Sequence, residues 1–102
     1  MSVVVVATIT PLPEYRDEVI AAYTATIPQV HAEDGCELYA LHRNADKLVI
    51  IEKWADQAAL DDHARSPALA GLGAKTGELV AEPMKLLILE AVPVGDPIKG
   101  AL

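Results

Sequence analysis

The side chains in this 102-residue chain with the widest chemical range are three histidines, one tryptophan and one cysteine. His63 is the strongest candidate for chemistry. It follows Leu60 by three positions, so on a helix the two share a face. A histidine on an apolar helix face is more often a satisfied core residue. As a functional group it would be a general base, because imidazole titrates near neutrality. Trp54 lies just upstream, in the frame Glu52-Lys53-Trp54-Ala55-Asp56. Its plain reading is a core anchor, and its functional one is a flat wall against which a ring-shaped ligand stacks. His31 ends a helical stripe, where its charge suits the helix C-terminus. His42 falls at the exposed end of a strand.

Other chemistries find less support. The histidines sit in different elements, no pair has i,i+4 spacing, and Cys36 has no second thiol, so the sequence implies no metal. Cys36 has no local histidine or cation to lower its pKa, and reads as a small buried residue instead of a nucleophile. The run Gly71-Leu-Gly-Ala-Lys-Thr is superficially a phosphate loop, but Ala74 precedes Lys75 and a helix, not a strand, precedes the run. No dinucleotide fingerprint is present, so no flavin or nicotinamide cofactor is expected.

The totals narrow the class. One domain of this length buries roughly two-thirds of its unfolded surface. The net charge of −7 leaves nothing to neutralise a phosphate backbone, which argues against nucleic acid as a partner. Mean hydropathy is high at +0.26, yet no apolar run approaches the roughly 20 residues of a membrane span. The N-terminal run lacks a basic start and a small-residue cleavage site, so it reads as a strand, not a signal peptide. A lone cysteine suits a reducing cytoplasm, the expected location.

The elements that must position these groups follow in order. Val3–Thr10 is an almost wholly β-branched strand that Pro11 and Pro13 end. A helix runs from Glu14 to about Thr26 with Val19, Ile20, Tyr23, Ile27 and Val30 in one stripe, and Pro28 should kink or interrupt it. Asp34-Gly35 is a turn. Cys36–Arg43 and the run Leu48, Val49, Ile50, Ile51 form a hairpin around Asn44-Ala45-Asp46. Asp56 caps a second helix that Ser66-Pro67 stops. Pro67–Ala81, with three glycines, reads as an irregular helical connector. Glu82–Val92 is a fourth strand with Met84 to Leu89 its buried part. Residues 1–93 thus make one domain and 94–102 a Pro/Gly-rich tail, ordered only if it docks.

The order β-α-β-β-α-β is the ferredoxin-like plan: α+β, with an antiparallel four-stranded sheet. Its helices cover one sheet face. The strands VVVV, LVII and LLIL are apolar on both faces, so a single chain would leave a large apolar face in water. The expectation is a homodimer with the sheets packed face to face.

Three stretches also carry a family likeness. Glu33-Asp34-Gly35-Cys36-Glu37-Leu38-Tyr39, Glu52-Lys53-Trp54-Ala55-Asp56 and Ala59-Leu60-Asp61-Asp62-His63-Ala64-Arg65-Ser66-Pro67 resemble the antibiotic biosynthesis monooxygenase domain, nearest its quinol monooxygenase branch. That resemblance implies a dimeric α+β barrel and a pocket between sheet and helices. It also implies oxidation of a small aromatic substrate, a quinol or anthrone, by O₂ with no metal or flavin. On it, His63 is the catalytic base or orienting group, Tyr39 supplies a hydroxyl, and Trp54 and Glu52 bind the substrate. Some relatives of the fold degrade haem with a strand-one asparagine and a late histidine. Here the first strand has no asparagine and no histidine follows His63, which argues against haem. Two rivals stand beside this reading: an isomerase or lyase acting on a small carbonyl metabolite, and a non-catalytic ligand-binding dimer.

Overall fold

Val3–Ile9 forms β1, an inner strand of the sheet in a computed structural model that describes residues 2–102. A single 3-10 turn, Pro13–Tyr15, leads into α1, Arg16–His31. β2 (Cys36–Arg43) and β3 (Leu48–Trp54) make the expected hairpin. Then come α2 (Gln57–Ala64), α3 (Pro67–Thr76) and β4 (Lys85–Leu89). All strand pairs are antiparallel and the order across the sheet is β2-β3-β1-β4. This is the ferredoxin-like plan, with α2 and α3 sharing the second crossover.

Register fixes what each face carries. Val5 lies opposite Glu52 on one side and Ile88 on the other, and Ala7 opposite Ile50 and Leu86. Directly opposed residues share a face. So Leu48, Ile50, Glu52 and Trp54 of β3, all buried, point to the helix layer with Val5, Ala7 and Ile9. There they meet Val19, Tyr23 and Val30 of α1 and Ala68 and Leu72 of α3. The other face carries Val6, Val49 and Ile51, half-buried, beside exposed Leu87 and Leu89. β3 therefore alternates in burial, where its continuous apolar sequence had suggested cover on both sides.

Three further expectations are corrected. α1 runs unbroken through Pro28. Proline there is exposed, so the carbonyl that loses its backbone donor faces water and needs no replacement. The glycine-bearing connector is a regular helix, because the Ser66 hydroxyl accepts from Leu69 N at 3.2 Å and Pro67 occupies the first turn, where it is pre-organised. β4 is not buried: it is an edge strand, and Leu86 to Leu89 are each 42–60% exposed. Beyond it, the tail makes a local turn in which Asp96 accepts from the Ile98 and Lys99 amides. Its end reaches Lys53, whose ammonium donates to the Leu102 carbonyl at 2.8 Å. Among the described residues no helix is long and apolar enough to cross a membrane.

The turn between α1 and β2 packs closely against α2. Gly35 adopts φ +80°, and a Cβ on it would stand 2.5 Å from the Ala59 Cβ of α2. Its carbonyl accepts from Ala55 N at 2.8 Å, joining the turn to the end of β3. Gly35→Ala should therefore cost at least ~1–2 kcal/mol from its backbone conformation alone, plus the displacement of α2. Urea unfolding of Gly35→Ala and of Gly35→Ala/Ala59→Gly separates the two, the double variant recovering only the steric part.

Candidate active site

Asp56, extended at φ −161°, caps α2 by accepting from Ala59 N at 2.8 Å. That cap starts the helix immediately after β3 and sets His63 over the helix-covered face of the sheet. The turn before β2 meanwhile fixes Glu33, whose carbonyl accepts from Cys36 N. The two come together although thirty residues apart: Glu33 Oε1 lies 2.9 Å from His63 Nδ1. His63 is 4% exposed. With Nδ1 engaged by a carboxylate, the proton sits on that nitrogen and Nε2 is left as the basic one. Glu33 Oε2 is buried without a partner, so the carboxylate's stabilisation rests on this bond.

His63 stacks on Trp54 at 4.5 Å with 29° between the rings, and the Tyr39 ring meets both edge-on, 5.5 Å from His63 and 6.4 Å from Trp54. Trp54 Nε1–H donates to Glu52 Oε1 at 2.8 Å. Next to this cluster is a cavity of about 170 Å³, lined by Tyr23, Tyr39, Glu52, His63, Leu86 and Ile88 among others. Three of the four residues expected from the sequence thus face one space. The fourth does not. Trp54 is 0% exposed and does not line the cavity, because His63 lies over its ring. It is the packed support of His63 and Glu52, not a wall for a ligand.

Glu33 and Tyr23 went unnoticed in the sequence. Tyr23 stands in the apolar stripe of α1, and Glu33 opens the E-x-G-C run, where only its place in that motif marks it. His31 and His42 serve local structure. His31 Nε2 lies 3.0 Å from the Tyr39 carbonyl, and His42 Nδ1 lies 3.1 Å from that of Ala40. Cys36 is a free, half-buried thiol. Burial first, then the nearby Glu33 and Glu52 carboxyls, push its pKa up. Among the described residues no three His, Cys, Asp or Glu side chains converge as a metal-ligand set.

Burial also sets the protonation of the cavity's oxygen groups. It raises the Tyr23 hydroxyl to about 12, and Tyr39 further still, each with Glu52 as the next cause. Both remain hydrogen-bond donors near neutrality. The Glu52 carboxyl is likewise pushed up, by burial above all, against the opposing pull of the Trp54 N–H and His63.

Fold and site together define the class: an α+β protein with an imidazole held by a carboxylate beside a largely apolar cavity of small-molecule size. A family model described as Antibiotic biosynthesis monooxygenase matches residues 2–72, a span holding Glu33, Tyr39, Glu52, Trp54 and His63. The chain belongs to the antibiotic biosynthesis monooxygenase family. It is 37% identical over 89 residues to a Mycobacterium tuberculosis protein named Putative monooxygenase Rv0793, covering 85% of this chain and 88% of that one. A Bacillus subtilis protein named Putative monooxygenase YcnE is 30% identical over 81 residues, covering 76% and 85%. The solved structure of Rv0793 superposes with a TM-score of 0.83, covering 94% of this chain and 98% of that one. A Caulobacter crescentus structure of the same family name gives 0.83 at 26% identity, covering 89% and 90%.

The raised Glu52 pKa has a consequence for stability. An acid whose pKa is higher folded than unfolded contributes most when protonated, and that contribution is lost as pH rises through the folded pKa. Glu52→Gln keeps an oxygen acceptor for Trp54 and removes the titration. The variant's melting temperature should rise relative to the parent between pH 4.5 and pH 8. A difference that does not change with pH would show an ordinary Glu52.

Proposed function

We propose that this protein is a monooxygenase that oxidises a quinol- or anthrone-like ring with O₂ and no metal or organic cofactor. The single observation behind this reading is the Glu33–His63 pair at 2.9 Å, with His63 on the wall of a largely apolar cavity and Glu33 behind it. His63 Nε2 takes the proton of the substrate's phenol or enol, and Glu33 stabilises the imidazolium that results. The electron-rich anion passes one electron to O₂, and the radical pair combines as a peroxide on the ring carbon. Return of the proton and loss of water leave a carbonyl there: one oxygen atom enters the product and the other leaves as water. The substrate supplies all the electrons. Tyr23 and Tyr39, kept protonated by burial, donate to the developing oxyanion, and burial biases the Glu52 carboxyl beside them towards its neutral form.

The same reading includes a cytoplasmic homodimer through the uncovered sheet face. Its support is the run of Val6, Val49, Ile51, Leu87 and Leu89 on that face, an apolar surface of the kind that marks an interface. Light scattering at micromolar concentration should give twice the 10.8 kDa chain mass, and Leu87→Asp should halve it. A parent mass of one chain removes the dimer from the proposal.

Oxygen uptake with an anthrone and with a hydroquinone that keeps a ring C–H tests the reaction, and ¹⁸O₂ should place one labelled atom in the product. His63→Ala should lower kcat by about 10²- to 10⁴-fold. Glu33→Gln, which disturbs only the tautomer and its stabilisation, should lose less, with KM little changed in both. Absence of catalysed uptake over a substrate panel overturns the proposal. Turnover of a carbonyl substrate under strict anaerobiosis would move the same dyad to isomerase or lyase chemistry.

A further inference from the structure

A second cavity, of about 290 Å³, adjoins the first beneath α3. The two share Tyr23, Leu69 and Met84 as common walls. Volume decides what each can hold. A cavity of about 150 Å³ accommodates one benzene ring, so the 170 Å³ space beside His63 takes a single ring. A fused substrate must continue past the shared wall.

The partition suits that passage. Met84 is unbranched and adaptable, and stands 41% exposed where the chain enters β4. The far wall is α3, where Leu69, Leu72, Gly73 and Thr76 follow three- and four-residue spacing on one face. Gly73 leaves that wall open: a Cβ built on it meets nothing within 4 Å.

We infer that the cavity beneath α3 is a specificity subsite for the non-reacting rings of a fused, multi-ring aromatic substrate, with Gly73 as its size-determining residue. The inference rests on the proposed reaction for its substrate and deepens it. The ring that loses its proton lies by His63, and the remainder of the molecule lies beyond Tyr23 and Met84.

Gly73→Leu tests it, with Gly71→Leu as control. Gly71 is exposed, as Gly73 is, and also has nothing within 4 Å of a built Cβ, but unlike Gly73 it lines neither cavity. Leucine is the better helix former at both positions, so both variants should fold. Calorimetry uses two oxidised, unreactive ligands, a hydroxyanthraquinone of three rings and tetramethylbenzoquinone of one, and needs no turnover. Gly73→Leu should weaken the three-ring ligand about tenfold or more, the scale of altered fit in an apolar pocket. It should leave the one-ring ligand within about twofold, and Gly71→Leu should change neither. Equal loss of both ligands, loss of neither, or no three-ring binding by the parent overturns the subsite. If the parent fails to oxygenate an anthrone or a hydroquinone with a free ring C–H but Gly73→Leu selectively weakens the three-ring ligand, the reaction falls and the subsite stands.

Discussion

The approach of α2 to the bare backbone of Gly35 is the contact on which the rest of the site depends. Glu33 and His63 lie on segments that share no backbone pairing. Their carboxylate–imidazole bond forms only if the turn before β2 and the body of α2 lie nearly in van der Waals contact. A missing Cβ at Gly35 and a small Ala59 make that possible. The Ala55 amide on the Gly35 carbonyl then fixes the end of β3 to the same point. Backbone geometry, hairpin and helix thus converge where the Glu33–His63 pair is held.

Around that pair, the walls shape protonation more than they shape binding. Most groups lining the first cavity are aliphatic or aromatic, and its hydroxyls and the Glu52 carboxyl are all biased towards their neutral forms. Neutral donors in a dry space stabilise a new anion without having to give up a charge of their own. Trp54 enters this scheme indirectly. Its N–H occupies one Glu52 oxygen and its ring supports His63, so it positions two cavity-lining side chains without lining the cavity itself.

Much of the architecture was legible in local sequence because local physics decides it. The β-branched runs made strands, Asp56 made a helix start and Ser66-Pro67 a helix stop, and their order gave the topology. The errors came where tertiary context decides. Pro28 broke nothing because it faces water, a property of its position on α1 that its residue type does not reveal. The glycines after Pro67 suggested irregularity, yet the Ser66 cap and the packing of Ala68 and Leu72 held a regular helix. The apolar run of β4 suggested burial, but an edge strand in one chain has no layer to enter. The site followed the same division. His63 stood out by chemistry and the E-x-W frame marked Glu52, but the bond from Glu33 joins residues thirty apart and leaves no periodic trace.

Cys36 gains significance from this arrangement. Quinones and peroxides attack thiolates far faster than thiols, and a catalyst that makes such products risks arylating or oxidising itself. The chain's one sulfhydryl follows Gly35 directly, close to Glu33 and Glu52. Burial and those carboxyls hold it in the unreactive protonated form. Under the proposed reaction, the same carboxyls that border His63 would also shield this thiol from the products.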